Sequence, residues 1–361
     1  MTPDRISELQ NRFAPVLDPL ATGYARLMRF RAGLFASGRL ASWRPPAPCA
    51  AVGNISWGGT GKTPVVSWLL RWAIDQGLTP AVLTRGYGGH PPRAPYEVEL
   101  SSPAREAGDE PLMLKRAHPR ARIMVDPNRV RGGRACTGDA PGLYILDDGF
   151  QHLRVRRDVN LCLLCPRDLD VGWNKVIPAG TWREDATALK RADAFLVNRM
   201  FGEDDCLETL ARIKLTGLGK PIFFFQVVAR HIANSVSGEI RDSLQGERYL
   251  LVTGIANPRK APQTFKRDLG EMPVHHLIFS DHHPFSLTDW QTITARAERA
   301  RCAYILCTPK DAVKLAPFAD ERLWVPSLST TFTTAGNESF PAWLEERVHI
   351  SNRSIHGHEA I

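Results

Sequence analysis

The sequence predicts an α/β fold: a mostly parallel sheet with helices on both faces, followed by a smaller C-terminal α/β unit. Three observations predict it. A glycine-rich loop stands between a short apolar run, Ala50-Ala51-Val52, and a helix-like pattern, Val65-Val66-Ser67-Trp68-Leu69-Leu70. Short apolar runs then alternate with helix-length segments, the signature of a sheet covered by helices. After a polar interval the same alternation resumes over a shorter span.

The loop is the first landmark. Asn54-Ile55-Ser56-Trp57-Gly58-Gly59-Thr60-Gly61-Lys62-Thr63 is a variant phosphate loop, with Ser56 where the strict pattern has its first glycine. Glycines let backbone N–H groups turn inward around phosphate oxygens, and the helix start adds its positive dipole. Lys62 is expected at the β- and γ-phosphates, and the Thr63 hydroxyl on Mg²⁺. The first sheet is therefore read as P-loop NTPase-like. The bland alternative is a glycine turn that binds nothing.

The strands follow in order. Pro80 to Thr84, Arg122 to Val125, Leu143 to Leu146, Val159 to Leu164, Ala194 to Val197 and Ile222 to Val227 make the first set. Arg230 to Gly246 reads as a polar, irregular junction. Tyr249 to Val252, His276 to Phe279, Tyr304 to Cys307 and Leu323 to Pro326 make the second set, and the tail after Glu346 is expected to fray. The expected organisation is an N-terminal amphipathic region at 1–40, a phosphate-loop domain at 41–228, a smaller α/β domain at 229–346 that completes the cleft, and a polar tail at 347–361.

One apolar strand ends in Asp147-Asp148-Gly149-Phe150-Gln151-His152. Ligands in open α/β sheets sit beyond the carboxyl ends of strands, where a phosphate-loop enzyme holds the acidic partner of Mg²⁺. Asp148-Gly149 alone would also suit a surface turn.

The N-terminus is different in kind. Between Phe13 and Leu40, Leu17, Leu20, Leu27, Met28 and Phe30 mix with Arg26, Arg29, Arg31 and Arg39. No run reaches the ~20 apolar residues that span a bilayer, and no signal peptide is recognisable. Two readings stand: a basic amphipathic helix lying in a membrane interface, or a helix packed on its own domain. A formal charge of +8 favours an anionic partner. No aromatic–basic interleaving supports nucleic acid, and no obligate protein partner is evident. The seven cysteines are scattered, and Cys162 and Cys165 read as structural thiols in a reducing compartment.

Several segments together resemble the tetraacyldisaccharide 4′-kinases, the LpxK family of lipid A biosynthesis. They are the loop itself, Leu83-Thr84-Arg85-Gly86-Tyr87-Gly88, Gly108-Asp109-Glu110-Pro111, Asp147 through His152, Pro178-Ala179-Gly180-Thr181-Trp182-Arg183-Glu184, Phe279-Ser280-Asp281-His282-His283 and Thr308-Pro309-Lys310-Asp311-Ala312-Val313. The Asp-Asp-Gly-Phe-Gln-His string is the specific element; Gly-Lys-Thr is shared by many nucleotide enzymes. The resemblance implies transfer of the ATP γ-phosphoryl group to the 4′-hydroxyl of an anionic acylated disaccharide lipid, at the cytoplasmic face of a bacterial inner membrane. It implies a base formed by Asp109 and His282, catalysis with Lys62, and Mg²⁺ near Thr63, Glu110, Asp147 and Asp148. Gln151 is expected at the nucleotide, and Arg85 and Arg129 at phosphate or acceptor. Read without the resemblance, Asp109 is a helix cap and Arg129 part of a solvated basic face. A competing reading of the loop is an assembly ATPase or metallochaperone that switches on a protein partner.

Overall fold

The computed structural model describes residues 3–136, 140–199, 204–256, 258–334 and 338–356. Among these residues thirteen strands join in one sheet. They are β1 (Cys49–Asn54), β2 (Pro80–Thr84), β3 (Tyr96–Glu97), β4 (Arg122–Val125), β5 (Leu143–Asp147), β6 (Val159–Leu164), β7 (Ala194–Asn198), β8 (Ile222–Asn234), β9 (Ile240–Arg241), β10 (Tyr249–Thr253), β11 (His275–Ile278), β12 (Tyr304–Cys307) and β13 (Leu323–Thr334). The order across the sheet is β11-β10-β12-β13-β8-β7-β6-β1-β5-β2-β4-β3, with β9 paired to β8. Only β3–β4, β8–β9 and β8–β13 run antiparallel.

The short apolar runs become strands because helices cover both of their faces. Every residue of β1, β2, β6, β10 and β12 is buried, as parallel sheets require. The two-residue period divides each strand between two cores. Ala50 and Val52 pack with Val65, Val66, Leu69 and Leu70 of the Lys62–Asp75 helix, whereas Cys49 and Ala51 pack with Leu83, Met124 and Tyr144 on the other side. In the second half, Tyr304 and Leu306 face one cluster, and Ile305 and Cys307 the other.

Two expectations are corrected. Arg230 to Gly246 is not an irregular junction: β8 continues to Asn234 and turns into β9. Its polar residues are accommodated because alternate positions, Ile232 and Asn234, are buried while their neighbours are not. The pairing of β8 with β13, from Phe223↔Thr334 to Asn234↔Trp324, carries the sheet across the boundary expected at 228. The tail does not fray at 347 either, since the Phe340–His356 helix runs through it. Phe340, Trp343, Leu344 and Val348 are buried in the first-half core, so this helix lies on the half that carries the phosphate loop.

At the N-terminus the Pro3–Arg12 helix precedes the Ala14–Ala36 helix, which lies on the second core cluster through Ala21 and Ala25, with Tyr24 against it. Arg29 is bonded to Asp185 at 2.9 Å, and Gln10 donates to the carbonyls of Pro178 and Gly180. The opposite face leaves Phe13, Val16, Leu20, Leu27 and Phe30 exposed. No described helix is long and apolar enough to cross a membrane.

Candidate active site

The loop from Ile55 to Gly61 joins the carboxyl end of β1 to the Lys62–Asp75 helix. Gly61 caps that helix at φ 91°, a left-handed conformation that glycine adopts freely. Lys62 folds back to donate to Asn54 Oδ1 at 3.1 Å and lies 3.5 Å from Asp148. Asn54 Nδ2, Ser56 Oγ and Thr60 Oγ1 are buried without a hydrogen-bond partner. Buried polar atoms left unpaired are costly, and here they line a loop shaped to receive anionic oxygens. Ile55 lies fully in the core, so only its backbone is left for a nucleotide, while Trp57 is exposed at the loop tip.

A second strand end sits beside the loop because β1 and β5 pair with Val52 opposite Asp147. The turn after β5 then crosses over Gly53. A Cβ at Gly53 would stand 2.4 Å from the Phe150 backbone nitrogen, so glycine is needed for this approach. Asp148 takes φ 51°, uncommon for a non-glycine residue, and turns its carboxylate to Lys62 and Arg183. Arg183 Nη1 donates to both Asp148 oxygens at 2.9 and 2.8 Å and to Gln151 Oε1 at 3.3 Å. Gln151 in turn donates to the Asn54 carbonyl. Backbone bonds from Arg183 to Ile55 and from Trp57 to Thr181 fasten the same segment to the loop.

The carboxylates behave differently. Burial and the neighbouring Glu110 push the Asp147 carboxyl up to about 6, although Thr84 Oγ1 donates to it at 2.8 Å. Burial would also raise Asp148, but Lys62 and Arg183 hold it below the usual carboxylate range. Thr63 donates its hydroxyl to Glu110 Oε2 at 3.0 Å. Thr63, Glu110 and Asp147 thus gather oxygen donors on one side of the loop, while Asp148 is engaged with two cations.

Asp109 opens the Asp109–Ala117 helix, but the cap is Gly108 at φ 87°, so the capping alternative is set aside. Its carboxylate instead meets His282, 173 residues away in sequence, with Nδ1 3.1 Å from Oδ2. His282 holds φ 59° to reach it, a second non-glycine residue in the left-handed region. Such strain gathers where function demands a fixed side chain. Lys314 Nζ stands 3.3 Å from the same Asp109 oxygen, and Lys310 Nζ is 3.1 Å from His282 Nε2. The exposed Tyr87 ring lies 5.2 Å from the imidazole.

The two arginines expected at phosphate or acceptor part company. Arg85 is exposed beyond β2. Arg129 is buried and spends its guanidinium on the carbonyls of Asp126, Pro127 and Asp147, so it braces the strand end. Sequence reasoning gave no role to Arg183, Lys310, Lys314 or Asn198, whose Nδ2 donates to the Thr60 carbonyl. Arg183 stood in a quoted segment, and Lys310 and Asp311 in another; their roles depend on which loop each one meets.

A loop that grips phosphates, with a separate carboxylate held at its mouth by an imidazole, suits movement of a phosphoryl group onto a hydroxyl. This places the chain in the class of phosphate-loop kinases. A family model, tetraacyldisaccharide-1-P 4′-kinase (LpxK), matches residues 13–349. The tetraacyldisaccharide 4′-kinase of Nitratidesulfovibrio vulgaris is 44% identical over 345 residues, covering 95% of this chain and 96% of the relative. That of Oleidesulfovibrio alaskensis is 41% identical, with 92% of each chain covered. The crystal structure of LpxK from Aquifex aeolicus in complex with ATP superposes with a TM-score of 0.76 at 25% identity, over 95% of this chain and 99% of that one. The chain belongs to the tetraacyldisaccharide-1-P 4′-kinase family.

Proposed function

We propose that the protein transfers the γ-phosphoryl group of ATP to the 4′-hydroxyl of a tetraacylated glucosamine disaccharide 1-phosphate, forming lipid IV-A. It would act on the cytoplasmic face of the inner membrane, without spanning it. The observation that carries this reading is the Asp109–His282 contact at 3.1 Å on the same side as Glu110, which holds Thr63. An ATPase that only hydrolyses has no need of a separate carboxylate for a sugar hydroxyl.

In this reading Asp109 takes the proton from the 4′-hydroxyl as its oxygen bonds to the γ-phosphorus. The bond from that phosphorus to the bridging oxygen breaks, and ADP leaves with the electron pair. Lys62 neutralises charge on the leaving and transferring phosphates, and the backbone donors of Gly58 to Gly61 hold them in line. Arg183 and Asp148 keep Lys62 and Gln151 placed around the loop. The residues fit Mg²⁺, since Thr63, Glu110 and Asp147 offer only oxygen donors to a hard cation. Among the described residues no cluster of His, Cys, Asp and Glu would hold a metal alone. That agrees with an ion that shares its shell with nucleotide oxygens. Its chemistry is neutralisation of phosphate charge.

The exposed apolar face of the Ala14–Ala36 helix is the membrane contact in this reading. The acceptor is amphiphilic, and a face of leucines and phenylalanines beside arginines would bring the cleft to the bilayer surface. Thin-layer separation after incubation with γ-labelled ATP and the acylated disaccharide phosphate tests the proposal. Label in the lipid, dependent on Mg²⁺, is expected. ATP hydrolysis with no labelled lipid would point to the switching ATPase instead.

A further inference from the structure

Two lysines lie on one face of the Pro309–Leu315 helix, four residues apart, and both address the Asp109–His282 pair. The helix start is pinned. Thr308 caps it, and the fully buried Asp311 accepts from the Gly254 backbone at 2.9 Å and from the Thr308 hydroxyl at 2.7 Å. The lysines are therefore delivered from a fixed base rather than from a mobile loop.

Lys310 meets the imidazole edge that faces away from Asp109. Its Nζ lies 3.1 Å from His282 Nε2, 3.2 Å from Asp281 and 3.8 Å from Glu110. An ammonium group has donors and no lone pair, so Nε2 must accept. The ring proton then belongs on Nδ1, where it is donated to Asp109 Oδ2 at 3.1 Å. Lys314 is buried between two carboxylates, 3.3 Å from Asp109 Oδ2 and 3.2 Å from Asp311 Oδ1, with the Phe285 ring 5.4 Å from Nζ. His282 and Lys314 thus both engage Oδ2, and the contacts described leave Oδ1 for the incoming hydroxyl. The remaining groups facing the pair are Asp281 from the histidine's own loop, Glu110 beside Asp109, and the Tyr87 ring.

We propose that Lys310 and Lys314 are positioning residues that fix the hydrogen-bonded geometry of the pair. Lys310 on Nε2 keeps the Nδ1–H of His282 directed at Asp109 Oδ2, and Lys314 draws the same carboxylate oxygen as an ion pair at 3.3 Å. The inference deepens the proposed function, since it rests on Asp109 being the base. It also assigns the imidazole an orienting role. With Nε2 occupied by the lysine and Nδ1 already protonated, the hydroxyl proton stays on Asp109 Oδ1 while the phosphorus–oxygen bond forms.

Heteronuclear NMR of the ring nitrogens in the full chain reads the tautomer directly, with His282→Gln used to assign the signal. Protonated Nδ1 and unprotonated Nε2 are expected, giving way to a tautomer mixture in Lys310→Met. In lipid phosphorylation assays Lys310→Met and Lys314→Gln should each lower kcat about 100-fold, the scale of misplaced reacting groups, with KM for ATP unchanged. Lys314→Arg, which keeps the charge, should recover turnover that Lys314→Gln lacks. A wild-type ring protonated on Nε2 overturns the proposal, as does a Lys310→Met variant with both tautomer and kcat intact. The expected tautomer in a protein that phosphorylates no lipid would overturn the kinase reading while supporting the hydrogen-bond arrangement.

Discussion

Asp147 carries a cost that the fold tolerates for the sake of its site. Its carboxyl is raised to about 6 by burial and by Glu110. The folded protein therefore binds more protons than the unfolded chain between the ordinary carboxylate value and about pH 6, and stability falls as pH rises through that window. Above it the penalty is fully expressed. Asp147→Asn should accordingly stabilise the nucleotide-free protein by up to about 2–3 kcal/mol at pH 8, and by much less at pH 4, while abolishing most turnover. Urea denaturation at the two pH values, with kinase assays alongside, checks both halves. Arg183 is the opposite case, a residue whose value lies in what it holds. Its Nη1 bonds to both Asp148 oxygens and to Gln151 tie the turn after β5 to the loop. Arg183→Met removes all three bonds, and a loss of about 10- to 100-fold in kcat is expected, by analogy with outer-shell partners of other sites. A kcat within twofold of wild type would show that Asp148 is placed by Lys62 alone. Asp109 and His282 were legible in the sequence only through the motif strings that contain them. Nothing in their local spacing foretells a contact across 173 residues, and the lysines behind them were invisible for the same reason.

At the scale of elements, strands were the most legible. Each fully buried parallel strand is a short apolar run, so β1, β2, β6, β10 and β12 could be read directly. The antiparallel strands β8 and β13 were seen only in part, because one face of each is less buried and its polar residues resemble a loop. The N-terminal helix had two readings, and its opposite faces correspond to them. Small residues, Ala21 and Ala25, let it settle on the second core cluster, while Val16, Leu20, Leu27 and Phe30 remain 57–64% exposed. A stripe of that kind is costly in water, and full burial of each chain is worth about 1.5–3 kcal/mol. Replacing Leu20, Leu27 and Phe30 together by Ser should release the protein from anionic vesicles in a flotation assay. Thermal stability should hold or rise slightly, because none of these side chains contributes to the core. Added salt should weaken wild-type attachment only in part, since the arginine attraction is screened and apolar burial is not. Unchanged flotation of the triple variant would move the membrane contact elsewhere.

The whole molecule is tied together by segments distant in sequence. The last helix returns to the first half, where Phe340 is fully buried against Phe223 of β8, Phe332 of β13 and Trp68 of the phosphate-loop helix, with ring centroids 5.3, 4.4 and 5.3 Å away. Trp68 stands on the helix whose first turn carries Lys62 and Thr63, so the Phe340–His356 helix supports the nucleotide site from behind. Hydropathy could not foretell this: the segment is mixed in polarity, and its residues after Glu346 are polar enough that fraying there was the natural reading. Phe340→Ala should therefore destabilise the phosphate-loop half, by the about 3–5 kcal/mol typical of truncating a buried aromatic ring. The cavity lies under the helix and away from the loop, so ATP affinity well below the melting temperature should stay near wild type. Saturating nucleotide should then restore much of the lost melting temperature by mass action, because it binds only the folded form. Calorimetry with and without ATP·Mg²⁺ measures all three quantities. If the helix were merely attached to the second half, the variant would melt that half early and nucleotide would leave the early transition unmoved.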